Sequence, residues 1–253
     1  TCFCGPASRA AVNDSRGEFA PLHVSMSPRL FDTNKPLDGF VCNITPPDEN
    51  GMCNLSVSVD FASYAVEHCK YVIAQINPSL PWVYGPYSQV PVERLSAIVE
   101  ADVPLLNIPP IDDTDPISTK IGENIADLIE DGACLQMGQG KIPNAILKCL
   151  EDKKDIGIHT EVFSDNLLPL IEKGIVNGAR KNIDKGKIIA MFIQGSEDLY
   201  KYVNKNPMIQ MMPAWYTNTP HIIAKNDKVC AINACLQVDL TGQVNCESVD
   251  GKI

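Results

Sequence analysis

The chain has 253 residues, 45% of them hydrophobic and 21% charged, with a formal net charge of −10, enough apolar material for one large core or two ordinary ones. The acidic balance, with no run of lysines and arginines interleaved with aromatics, argues against a nucleic-acid surface and requires any anionic ligand to be held by local groups. No apolar stretch reaches the about 18 residues of a membrane span, and Thr1-Cys2-Phe3-Cys4-Gly5-Pro6 has neither n-region nor h-region, so a cytoplasmic protein without a membrane partner is expected.

Phe40-Val41-Cys42-Asn43-Ile44 reads as a strand and Pro46 to Gly51 as the turn after it. Ser58 to Cys69 suits a helix and Tyr71 to Gln75 a buried strand, and strand–helix–strand at this spacing predicts a parallel sheet. The stretch Asn107 to Pro116, rich in proline and acid, is the best linker candidate and divides the chain into 1–108, a linker at 109–118, and 119–253. Beyond it, Ile121, Ile125, Leu128 and Ile129 recur at helical spacing up to Asp131-Gly132. A strand at 133–137, a helix from Pro143 to about Glu151 and a strand at 156–159 follow, then a helix start at Ser164-Asp165 with Pro169 in its first turn. Later strands are expected at 188–193, 221–224 and 229–233, and the fold class is α/β.

Ten cysteines, at 2, 4, 42, 53, 69, 134, 149, 230, 235 and 246, contain no C-x-x-C pair, so the common zinc and redox spacings are missing and no metal site is expected. Lying inside apolar segments of a long chain, most should be buried reduced thiols rather than a disulfide framework.

Gln136-Met137-Gly138-Gln139-Gly140-Lys141-Ile142-Pro143 falls where a strand hands over to a helix, with Pro143 suited to the first helical position. Its glycines would let backbone N–H groups approach a bound oxygen or phosphate beside the positive helix end; a plain tight turn is equally consistent. Glu161, about 20 residues beyond Gly140 at the end of the next strand, also fits the ribose-binding acid of a dinucleotide fold, although Pro143 replaces the third glycine of that fingerprint. Ligands of open α/β sheets collect at the carboxyl ends of strands, which makes Glu161 a candidate functional carboxylate, with a surface acid as the plainer alternative. His159 reads as a packed strand residue and Asp165 as a helix-start acid.

These two segments, Leu135 to Pro143 and Gly157-Ile158-His159-Thr160-Glu161-Val162-Phe163-Ser164-Asp165, resemble the glycine loop and the catalytic-glutamate segment of the acetyl-CoA hydrolase/transferase family of class I coenzyme A transferases, in its 4-hydroxybutyrate and butyrate branch. Pro46 to Gly51, Lys70 to Asn77, Leu128 to Gly132 and Ile232 to Gln243 carry the resemblance along the whole chain in order. It implies two similar α/β domains with largely parallel sheets and flanking helices, both incomplete here, since the chain would begin after the family's first strands and stop at Ile253 before a second glycine-rich segment. By the same resemblance Glu161 is the nucleophile, Gly138, Gln139, Gly140, Lys141 and Ile142 contact coenzyme A, and Leu236 lies beside the thioester. The implied substrates are an acyl-CoA and a short-chain carboxylate such as 4-hydroxybutyrate, butyrate or acetate, exchanged through an enzyme glutamyl-CoA thioester; no permanently bound cofactor is implied, and a homodimer is. Gln139, Lys141 and Asn166 depart from the family's usual small or apolar residues. An acyl-CoA hydrolase and a non-catalytic CoA-binding or partner subunit remain open alternatives.

Overall fold

The computed structural model describes residues 3–31, 37–108, 115–138, 140–250 and 252–253. The first part runs α1 (Pro6–Asn13), a 3-10 turn at Val24–Leu30, β1 (Gly39–Ile44), β2 (Met52–Asn54), α2 (Ala62–His68), β3 (Tyr71–Ile76), β4 (Gln89–Pro91) and β5 (Ala97–Glu100). The second continues with α3 (Pro116–Ala126), β6 (Cys134–Met137), α4 (Lys141–Lys148), β7 (Gly157–Ile158), β8 (Val162–Phe163), α5 (Leu168–Glu172), β9 (Ile188–Ala190) and β10 (Phe192–Ile193). It closes with α6 (Glu197–Val203), β11 (Ile209–Met211), α7 (Ala214–Thr217), α8 (Pro220–Ile223), β12 (Val229–Ile232), β13 (Gln237–Val238) and β14 (Val244–Asn245).

The sheets follow from the apolar runs. β1, β3 and β5 form a parallel sheet in that order, with Val72, Ala74 and Ile76 buried on one face while Tyr71 and Ile73 stay open on the other. A second parallel sheet has the order β12–β6–β7. A parallel bridge between His159 and Ile189 extends it to β9, which pairs β11, so five successive strands point the same way. A bridge from Tyr84 to Gln210 then joins this layer to the first part of the chain. One apolar cluster runs through both parts, from Ile44 and Val72 to Ile158, Phe163, Ile188 and Ile232. Each such fully buried side chain contributes about 1.5–3 kcal/mol.

Several boundaries differ from the sequence expectation for identifiable reasons. Residues 221–224 are helical rather than extended, because Pro220 at the first helical position after Thr219 starts α8, a helix-start signal that outweighs the apolar pair Ile222-Ile223. The run 188–193 is two strands broken at Met191, whose N–H and that of Phe192 both donate to the Glu161 carbonyl, at 3.0 and 3.1 Å. Helix α3 begins at Pro116, inside the stretch read as a linker, where the Asp115 carboxylate accepts from the N–H groups of Ile117 and Ser118. It ends at Ala126, so Leu128 is 78% exposed and Asp131-Gly132 lead into β6 instead of closing the helix. Residues 109–114, Gln139 and Cys2 lie outside the described residues. The nine described cysteines are free thiols, but only Cys53, Cys69 and Cys134 are buried and Cys235 and Cys246 are exposed, fewer buried than their apolar neighbours suggested.

Candidate functional site

Three adjacent parallel strands deliver the candidate residues to one sheet edge. Met137, the last residue of β6, pairs with Ile232, the last of β12, and Leu135 pairs with Ile158 of β7. Thr160 then locks the next step: its hydroxyl lies 3.1 Å from both the N–H and the carbonyl of Met137. Glu161 follows immediately, so the carboxyl ends of β7 and β6 carry it and the start of the glycine turn, Gly138, beyond the same end of the sheet. This is where an open parallel sheet gathers ligands.

The Glu161 side chain is half-buried and its Oε2 accepts a hydrogen bond from Asn218 Nδ2 at 2.8 Å. Asn218 is itself oriented, since its Oδ1 accepts from the Thr217 hydroxyl at 2.8 Å. Sequence reasoning missed Asn218: it lies 57 positions from Glu161, and its only local signal is a short polar run before Pro220. Glu161 also lines a cavity of about 490 Å³, in the size range of small-molecule sites, whose walls include Leu22, Val24, Phe61, Met191 and Phe192. Helical and strand patterning gave no hint of this cavity, because its walls come from segments more than 100 residues apart.

The glycine turn differs in detail from the expectation. Gly138 is not a free donor: its N–H is spent on the Ile232 carbonyl at 2.8 Å. Gly140, at φ +129°, is the residue before α4, a backbone region L side chains rarely adopt. Helix α4 starts at Lys141 and not at Pro143, so Lys141 and Ile142 are first-turn residues whose N–H groups have no acceptor within the helix, and Pro143, third in the helix, has no N–H to satisfy. Lys141 is exposed and Ile142 half-buried. Asn166, the departure just past Glu161, donates to Asn144 of α4 at 2.5 Å and ties the two segments together. Leu236 is 55% exposed beyond β12, with its N–H bonded to the Asn245 carbonyl at 2.9 Å; it is not among the residues lining the Glu161 cavity.

Behind Glu161 the groups are buried and polar. His159 is buried as expected, and its Nε2–H donates to the Thr217 carbonyl at 2.9 Å, holding the turn that presents Asn218. Burial lowers its pKa from the ordinary 6.5. Lys181 is buried with Nζ donating to the carbonyls of Ile158 at 3.1 Å and Lys187 at 2.9 Å, and burial lowers its pKa too. Tyr216, stacked on His159, is pushed up to about 12 by burial and by its 2.8 Å bond to Asp184. Asp165 does not cap its own turn; its carboxylate accepts from the Ser196 N–H at 2.9 Å and from the Ser196 hydroxyl.

The His159 environment has a measurable consequence. Below pH 6.5 the unfolded chain protonates this imidazole while the folded protein keeps it neutral, so the unfolded state binds more protons and stability falls as pH drops below 6.5 toward the folded value. His159→Gln, which keeps a donor for Thr217 but cannot titrate, should lose less Tm than the parent between about pH 7 and about pH 5. Parallel Tm profiles for the two proteins would contradict this.

Residues 1–108 match the profile of the acetyl-CoA hydrolase/transferase N-terminal domain and residues 195–253 that of the C-terminal domain of the same family. The chain belongs to the acetyl-CoA hydrolase/transferase family. Among curated relatives, the chain is 42% identical over 248 residues to 4-hydroxybutyrate coenzyme A transferase of Clostridium kluyveri, covering 98% of this chain and 57% of that protein. It is also 42% identical to succinyl-CoA:cyclohexane-1-carboxylate CoA transferase of Geobacter metallireducens, covering 97% and 56%. Of solved family structures, RipA from Yersinia pestis superposes with a TM-score of 0.88 at 38% identity, covering 95% of this chain and 56% of that one. The 4-hydroxybutyrate CoA-transferase of Porphyromonas gingivalis gives 0.83 at 39% identity, covering 91% and 59%. The chain therefore spans about half the length of the family members it matches.

Proposed function

We propose that this chain carries the catalytic glutamate and part of the coenzyme A site of a CoA-transferase that moves CoA between an acyl-CoA and a short-chain carboxylate such as 4-hydroxybutyrate, butyrate or acetate. The observation that carries this is the Glu161 carboxylate, held by Asn218 on the wall of an apolar cavity at the carboxyl end of a parallel sheet. The CoA-transferase relatives at 36–42% identity support transfer, whereas the hydrolase of Candida albicans is 24% identical.

In this reading a Glu161 oxygen attacks the thioester carbonyl carbon, the C–S bond breaks, and CoA leaves as thiolate from an acyl-glutamyl anhydride. The thiolate attacks the glutamyl carbonyl and releases the first carboxylate, leaving a glutamyl-CoA thioester. The acceptor carboxylate reverses both steps. A carboxylate nucleophile suits the exchange because enzyme and substrate acids have similar ordinary pKa values. Binding energy from the nucleotide end of CoA helps reach the transition state.

Gly138 to Ile142 and the segment around Leu236 are assigned to CoA, with the backbone donors shifted from Gly138 to the first turn of α4. The division into 1–108, 109–118 and 119–253 belongs to the same reading, supported by the N-terminal-domain match ending at 108. So do a homodimer and a cytoplasmic location; among the described residues no helix is long and apolar enough to cross a membrane.

Incubating the 253-residue protein with butyryl-CoA and labelled acetate should yield labelled acetyl-CoA, and CoA release that ignores added acetate would favour a hydrolase instead. Asn218→Ala removes a hydrogen bond to a charged group, worth about 1.5–3 kcal/mol, so exchange should slow roughly 10- to 150-fold with Tm nearly unchanged. An unaffected rate would show that Asn218 does not orient the nucleophile.

A further inference from the structure

The segment that carries Glu161 and the short helix α7 are joined at two neighbouring points. His159 Nε2–H donates to the Thr217 carbonyl at 2.9 Å, and two residues along the chain Glu161 Oε2 accepts from Asn218 Nδ2 at 2.8 Å. Between these two contacts lies a single peptide group, and it is held at both atoms. Its carbonyl is taken by His159, and its N–H, that of Asn218, donates to the Ala214 carbonyl at 3.0 Å. A planar peptide fixed at both ends cannot swing, so the Asn218 backbone is set and only its side-chain torsions remain. The Thr217 hydroxyl, donating to Asn218 Oδ1 at 2.8 Å, takes up those as well.

The other end of α7 is tied back to the same nucleophile. The Ala214 N–H donates to the Asp60 carbonyl at 2.9 Å; the N–H groups of Asp60, at 3.3 Å, and Val59, at 3.0 Å, donate to the Met191 carbonyl; and the Met191 N–H donates to the Glu161 carbonyl at 3.0 Å. Helix and strand therefore form one closed ring, in which Met191, Asp60 and Ala214 are main-chain links and His159 is a side-chain link. The imidazole occupies its place at a cost. His159 is only 5% exposed and its Nδ1 has no hydrogen-bond partner, and an orphaned buried nitrogen is destabilising. An apolar side chain of similar bulk would fill the space without that cost, so what the position requires of histidine is the Nε2–H. The ring plane is confined by Tyr216, stacked on it with centroids 6.0 Å apart and bonded to Asp184.

We propose that His159 is a positioning residue for the nucleophile: by fixing the Thr217 carbonyl it sets the peptide that carries Asn218, and so keeps Asn218 Nδ2 on the Glu161 carboxylate during attack. The proposal rests on the transferase reading above. His159 is not among the residues lining the Glu161 cavity, so it acts through Asn218 and not on the substrate. Hydrogen bonds weaken steeply off axis, and a misplacement of about 1 Å in a reacting site costs roughly 100-fold. Without the imidazole, the end of α7 is free to drift on that scale.

The test is a double-mutant cycle on the 253-residue protein, read as exchange between butyryl-CoA and acetate. His159→Leu should lower kcat about 10- to 100-fold and leave the KM for butyryl-CoA within about twofold, since no group on the cavity wall changes. In the Asn218→Ala background the same substitution should cost less than about threefold, because the contact it positions is already gone. His159→Gln, whose amide reaches Thr217, should recover most of the rate. His159→Asn, whose amide stops short of it, should behave as the leucine protein does and takes its place in the cycle if that protein does not fold. An unchanged kcat in His159→Leu, additive losses in the cycle, or a glutamine protein no faster than the asparagine one overturns the proposal and leaves the transferase reading standing. A parent that shows no exchange overturns the transferase reading, and the proposal is then decided by a crystal structure of His159→Leu. Asn218 Nδ2 more than about 3.5 Å from the Glu161 carboxylate supports it, and a contact kept at 2.8 Å overturns it.

Discussion

Glu161→Gln should lower CoA exchange by at least about a thousandfold while leaving the fold intact. The amide is nearly isosteric, and its oxygen can still accept the hydrogen bond that Asn218 Nδ2 now donates to Glu161 at 2.8 Å, leaving Asn218 held by Thr217. What is lost is the nucleophile, because an uncharged amide cannot displace a thiolate to form the anhydride. Glu161→Asp keeps the charge but withdraws it by one methylene, and a misplacement of about 1 Å costs roughly 100-fold. Borohydride treatment after incubation with acyl-CoA should reduce a glutamyl thioester and mark Glu161 in the parent protein, with no mark in Glu161→Gln. Substantial turnover by the glutamine variant, or labelling elsewhere, would remove the assignment.

Gly85→Ala should destabilise the protein by roughly 3–4 kcal/mol, seen as a fall in Tm of about 10 °C. Gly85 has φ +150°, and a Cβ there would sit 2.0 Å from the Met211 carbonyl oxygen. The overlap is with backbone, so no side chain can swing aside. Nor can the strand retreat freely, since the Met211 N–H donates to the Tyr84 carbonyl at 2.7 Å and β11 pairs with β9 in the layer behind Glu161. The adjoining turn is equally committed, with the Ser88 hydroxyl on the Gly85 carbonyl at 2.8 Å and Asn54 bridging to Ser88 and Val83. A Tm within about 2 °C of the parent would mean that this crossing between the two parts of the chain yields more easily than its bonds imply.

The parallel character of the sheets was legible because β1, β3, β6 and β12 are compact apolar runs separated by helix-length segments. Glu161 was legible as a lone acid after such a run. What could not be read were features made by distant contacts. Strands β8 and β10 have two residues each, too few for any period to register. Met191 looks like the middle of one strand, and only its double use with Phe192 on the Glu161 carbonyl breaks the run. Asn218 is one of several polar residues near Pro220 until α7 is folded against His159. The Gly138 N–H looked available because the sequence does not say that β12 will lie alongside β6 and take it.

Because the peptide groups flanking Met191 are committed on both sides, to Glu161 in one direction and to Val59 and Asp60 in the other, the segment has no slack with which to rearrange on its own. Two separately expressed fragments, severed between residue 60 and residue 161, would regain the geometry around Glu161 only on reassociation. Thioester capture by Glu161 would then serve as an on/off reporter of fragment complementation.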